Sequence, residues 1–233
     1  MFVNPLRLYE GVFSKRLDPK ELLDAVDEAG VHKELERQGV RIDIVVTDST
    51  HEEERFALLP PTVKERICDL QTALINETGR VVKEMEGLKS LYPDVPVIYN
   101  TLANGYSALG DRGMSRQTAL EMRRRFPDYL FGKVALAECH ILAKEYGSIP
   151  EPFDGKLDIR DHFPAGTQAF HYSEVRAFHS VTGVYHAATG NLARAILSYW
   201  LLSDLKGSEA VALRVARMVV IAELGNLGLG PFQ

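Results

Sequence analysis

Along most of the chain, apolar positions recur at three- and four-residue steps, the spacing of one buried helical face. From Pro61 to Leu91, the positions Val63, Ile67, Leu70 and Leu74, then Val81, Met85 and Leu88, predict one helix, eased at Gly79 and ended at Tyr92-Pro93. The same periodicity predicts helices over about 95–109, 114–125, 129–146, 174–189, 192–204 and 208–224. Nearer the N-terminus, Asp18-Pro19-Lys20-Glu21 supplies a cap, a first-turn proline and an acid able to close a capping box, so a helix follows, punctuated by Gly30 and Gly39. One stretch, Val40 to Val46, alternates like a strand. The sequence offers it no second strand, which leaves an edge piece or an extended connector. Between 147 and 172, Gly147, Pro150, Pro152, Gly155, Pro164 and Gly166 exclude a regular helix and predict a long connection able to shape a binding surface.

A repeat runs through this pattern. Leu91-Tyr92-Pro93-Asp94 returns as Arg125-Phe126-Pro127-Asp128, and Leu102-Ala103 returns at the same spacing as Leu136-Ala137. One unit reads Tyr99, Leu102-Ala103, Tyr106, Gly110-Asp111 and Pro127; another reads Gly183, Tyr185, Gly190-Asn191-Leu192, Ala195 and Tyr199. In spacing and residue types these units resemble the tetratricopeptide repeat family, whose period is about 34 residues. The departures are Ser115 where the family has Ala, a middle unit without the Gly-Asp turn in register, and no closing Pro in the last unit. The resemblance covers about residues 60–224. It implies an all-α chain of stacked helical hairpins, a right-handed α-solenoid, in which Ala103, Ala137, Gly183 and Ala195 let paired helices approach and Glu209 to Leu224 caps the stack. The expected division is an N-terminal region, 1–60, carrying at most one short strand, and a repeat domain, 61–233.

The resemblance also implies a function: a non-enzymatic interaction module that holds a peptide or partner helix in the groove lined by the first helix of each unit. Asn100 and Asn104, Glu138, and Arg176 and Ser180 are the partner-binding residues it indicates, with plain solvated helix surface as the alternative for the asparagines. Val134, Glu138 and Val184 stand where relatives that clamp chaperone C-termini carry basic or amide groups, which disfavours that ligand. The apolar final helix, with Val215, Val219 and Ile221, suits either a homodimer interface or an internal cap.

Charge and chemistry narrow this further. With 27 Lys plus Arg against 32 Asp plus Glu the net charge is −5, which gives no general attraction for nucleic acid, and Arg123-Arg124-Arg125 fits the C-terminal end of a helix. The hydrophobic fraction of 45% with 25% charged residues is that of a folded globular chain. Two distant cysteines, Cys68 and Cys139, form no disulfide framework, and no stretch from Met1 onward has the length and apolarity of a leader or a membrane span, so a cytoplasmic location is expected. Motifs of catalysis are missing: His51 opens no His-Glu-x-x-His, and Asp111 replaces the lysine that the Gly105 to Gly110 spacing would need to bind phosphate. No cofactor is expected. The competing hypothesis is a metal-assisted hydrolase built from His162, His171, His179 and His186 with Asp161. Against it, His179 and His186 lie two helical turns apart, too far to share an ion unaided, and His171 is placed to pair with Glu174 at a helix start.

Overall fold

The computed structural model describes residues 2–4, 8, 18–48 and 54–228. His51, Glu52, Glu53 and most of the N-terminal stretch inspected for a leader lie outside them. The chain is mainly helical and gathers into two compact units, Ser49–Phe163 and a discontinuous one of Met1–Asp48 with Pro164–Gln233. The sequence pattern divides the chain at residue 60, whereas these contacts divide it at 48 and 163.

The discontinuous unit begins with α1 (Pro19–Leu23) and α2 (Glu28–Arg37). The expected single helix breaks between them because Asp27 caps a new N-terminus, accepting from the Gly30 amide at 3.0 Å, so Gly30 lies inside α2. The Asp18 cap forms as its sequence implies, accepting from the Lys20 amide at 2.8 Å. Strand β1 (Val45–Thr47) does have a partner: it pairs in parallel with β2 (Ala169–His171), Val46 opposite Phe170. Beyond β2 come α9 (Tyr172–Ala188), α10 (Leu192–Ser203) and α11 (Glu209–Asn226), each packed against the other two. Gly183 permits this close approach, since a Cβ there would sit 2.9 Å from Ser198 Cβ and 3.0 Å from a Val215 methyl. Helix α11 buries Ala212, Val215, Ala216, Val219 and Val220 inside the unit, while Ile221 is exposed.

The continuous unit holds α3 (Glu54–Ala57), α4 (Pro61–Ala73), α5 (Thr78–Leu91), α6 (Pro96–Ala108), α7 (Arg112–Arg125) and α8 (Leu130–Leu142). The stretch expected to form one helix from Pro61 to Leu91 is thus two helices with a turn at Leu74–Glu77, and Ile75 in that turn is exposed. Second helices start at Thr78 and Arg112, and first helices at Pro96 and Leu130, both pairs at the spacing of the sequence repeat. From α4 to α8 successive helices pack on one another, and α6 also meets α8. The core of α4 to α6 is Ile67, Leu70, Val81, Met85, Ile98 and Leu102.

The turn between α6 and α7 shows what the Gly-Asp pair does. Gly110 takes φ 78, open at no cost to a residue without Cβ, the Asp111 amide closes back on Tyr106 O at 2.9 Å, and the Asp111 carboxylate caps Met114. Gly190 and Asn191 repeat it between α9 and α10, with φ 80 and a 2.8 Å bond to His186 O. The turn is also present after α8, in register and without glycine: Lys144 takes φ 61 and the Glu145 amide bonds His140 O at 2.8 Å. A 3-10 turn begins at Tyr146, one repeat after the start of α7 at Arg112, but Pro150 and Pro152 prevent an α-helix. The connection is therefore ordered: three 3-10 turns, the first two packed on α8, bury Ile149, Pro152, Phe153 and Ile159.

Candidate functional site

Helix α6 starts with Pro96 at its first turn, where a missing N–H costs nothing, and turns Ile98, Tyr99, Leu102, Ala103 and Gly105 inward. A Cβ on Gly105 would meet a Val82 methyl at 2.5 Å, so the glycine admits α5. The hydroxyl of Ser115 donates to Ala103 O at 3.0 Å across the hairpin. One turn apart on the other side of α6, Asn100 is half-buried and Asn104 exposed, and neither side chain has a hydrogen-bond partner among the described residues. Neighbouring first helices meet here: Thr101 donates to Val97 O at 2.9 Å and accepts from Gln71 of α4 at 3.5 Å. On α8, Val134 and Glu138 are half-buried, and Glu138 interacts within the chain. Asn100, Asn104 and Glu138 thus share one unit.

Arg176 and Ser180 belong to the other unit, on α9. Arg176 is half-buried; Ser180 is 7% exposed, its hydroxyl donating to Ala177 O at 2.8 Å and its carbonyl accepting from Arg214 at 2.9 Å. Among the described residues no three His, Cys, Asp or Glu side chains form a group able to hold a metal ion. The four histidines have separate surroundings. His171 is the N-cap of α9 in a capping box, its amide donating to Glu174 at 2.8 Å. His179 Nδ1 lies 3.2 Å from Ser198 Oγ, which also reaches Arg194 O at 3.1 Å, a hydrogen-bonded packing arrangement between α9 and α10. His186 is buried, and its pKa is pushed down to about 3 by burial, then by Arg194 and His179, leaving a neutral packing ring.

His162, in the ordered connection, meets a residue that the sequence pattern did not single out. Lys133 of α8 is 6% exposed and its Nζ lies 3.2 Å from His162 Nδ1. Burial, then Arg123, pushes the Lys133 ammonium below its ordinary range, and burial lowers His162. Beside them Arg123 donates to both oxygens of Asp154 at 3.0 and 3.1 Å and to Pro127 O at 2.9 Å, and Arg125 pairs with Asp94, which occupies two of the three arginines of the basic run. The signal for Lys133 was its place on the buried stripe of Leu130, Leu136 and Ala137, where an apolar residue is usual. In the repeat it takes the place that Tyr99 holds one unit earlier.

Two cavities in the discontinuous unit were also not foreseen. One, of about 730 Å³, is lined by Asp18, Glu21, Tyr199, Ser203, Glu209 and Arg217. A smaller one, of about 340 Å³, is lined by Gln38 and Asn191, whose amides exchange hydrogen bonds at 3.2 and 3.0 Å. Among the described residues no helix is long and apolar enough to cross a membrane. No family model, curated protein or solved structure matches the chain.

Proposed function

We propose that the chain is a non-enzymatic interaction module of the tetratricopeptide type, in which a peptide or partner helix binds along the first helices of the stacked hairpins of Ser49–Phe163. The observation that carries this reading is the recurrence of helix starts, Thr78 to Arg112 and Pro96 to Leu130, on that family's period of about 34 residues. Hairpins that contact their sequence neighbours bury one side and leave the first-helix side free for a ligand. Asn100 and Asn104 suit that role because their amides can each donate and accept, without a partner to give up. Glu138 adds negative charge on α8, which favours a partner with basic side chains and steers its approach.

Selection of displayed random peptides on the full chain tests the reading. Enriched peptides should lose about tenfold in affinity on the Asn100→Ala, Asn104→Ala double variant, while its stability stays within about 0.5 kcal/mol of the parent. Peptides that bind the double variant as tightly as the parent, or no enrichment at all, would remove this face as the site.

A further inference from the structure

The connection that replaces the second helix of the third hairpin is held on α8 under unfavourable terms. It is bounded and interrupted by Lys144 (φ 61) and Asp154 (φ 55), the two non-glycine residues with left-handed backbone among those described. Its contact with Lys133 also depends on a single proton. His162 Nε2 lies 3.0 Å from the Lys156 carbonyl, which can only accept, so Nε2 carries the ring proton and the lone pair is on Nδ1. That lone pair accepts from the Lys133 ammonium at 3.2 Å. A second ring proton would go to Nδ1, turning the acceptor into a donor and placing two cations face to face, Lys133 buried and His162 half-buried.

We propose that Lys133 and His162 form a proton-operated latch, in which protonation of His162 on acidification releases the connection around residues 156–163 from α8. The groups facing the pair are mixed in sign. Lys133 and Lys156 oppose a charged ring and Asp161 favours it; Arg123, itself paired with Asp154, and Lys156 oppose the Lys133 cation, which Asp154 and Asp128 favour. Partial burial of the ring, which packs on Phe153, is the largest influence and lowers its pKa from the ordinary imidazole range. The sign follows from linkage. The released ring binds a proton more readily than the held one, so the latch is closed at pH well above 6.5 and weakens as pH falls below it.

Hydrogen exchange on the full chain, followed by mass spectrometry at neutral and mildly acidic pH and corrected for intrinsic rates, reads the latch directly. Peptides within 147–163 should lose up to about tenfold in protection per pH unit, while peptides within 96–125 keep theirs. The His162→Gln variant, which cannot titrate, should abolish the pH response; should it fail to fold, Lys133→Met, which removes the opposing cation, should shrink it. His140→Gln is the control, because His140 contacts Glu145 at 2.9 Å beside the same segment, and it should leave the response intact. A wild-type segment without a pH response, or a response that persists in both His162→Gln and Lys133→Met or disappears in His140→Gln, would overturn the latch.

Discussion

Lys144 shows how the turn of Gly110 and Gly190 can recur without glycine. The turns at Gly110 and Gly190 combine a positive φ with an amide bond back to Tyr106 and His186, and the turn at Lys144 makes the same bond to His140. A search for Gly-Asp or Gly-Asn finds the first two and misses the third, because the backbone tolerates a Cβ in this conformation at a cost of roughly 1–2 kcal/mol. Lys144→Gly should therefore stabilise the chain by about 1 kcal/mol, less the extra freedom glycine has when unfolded, and raise the urea midpoint without changing the slope of the transition. An unchanged or lower midpoint would mean that Lys144 gains from its own contacts what the backbone loses. The Lys133 and His162 pair was hidden for a related reason. Sequence periodicity places Lys133 on the buried stripe of α8, but it says nothing of which residue 29 positions later meets it.

At the scale of elements, the sequence was legible wherever caps and phase agreed. The helices α6 to α11 begin and end within a few residues of the positions that their periodicity indicates, and Pro96, Asp111, His171 and Asn191 start four of the six. The split between α4 and α5 was not legible. Leu74 and Val81 lie two helical turns apart, so the apolar phase runs unbroken across a turn that contains neither Pro nor Gly. The pairing of β1 is not legible in the sequence because β2 is very short and lies far along the chain, inside a stretch whose prolines and glycines mark it as a connection. Small residues at helix contacts were legible, and Gly183 is the sharpest case. Gly183→Val would press into Ser198 of α10 and Val215 of α11 together, so it should cost on the order of 1–3 kcal/mol in chemical denaturation. No change in the midpoint would mean that the three helices do not approach each other there.

For the molecule as a whole, the chain order departs from a plain array. Ser49–Phe163 is a single stretch of chain inserted between β1 and β2, which pair in parallel within the other unit. A segment with its own core and without strand pairing to its surroundings meets the condition for folding alone, and Ile67, Leu70, Val81, Met85, Ile98 and Leu102 supply that core. Residues 54–163 made as a separate fragment should show a helical circular dichroism spectrum and a cooperative melt, because the stability of stacked hairpins is close to a sum of contacts between sequence neighbours. The same fragment separates the candidate binding residues. It keeps Asn100, Asn104 and Glu138 and lacks Arg176 and Ser180, of which Ser180 is buried within its own unit. Peptides selected on the full chain should bind the fragment with affinity within a few-fold of the parent, measured by calorimetry. A fragment that melts cooperatively yet binds none of them would transfer the site to α9 and its unit; a fragment with no cooperative melt would show that the inserted helices depend on the rest of the chain for their fold.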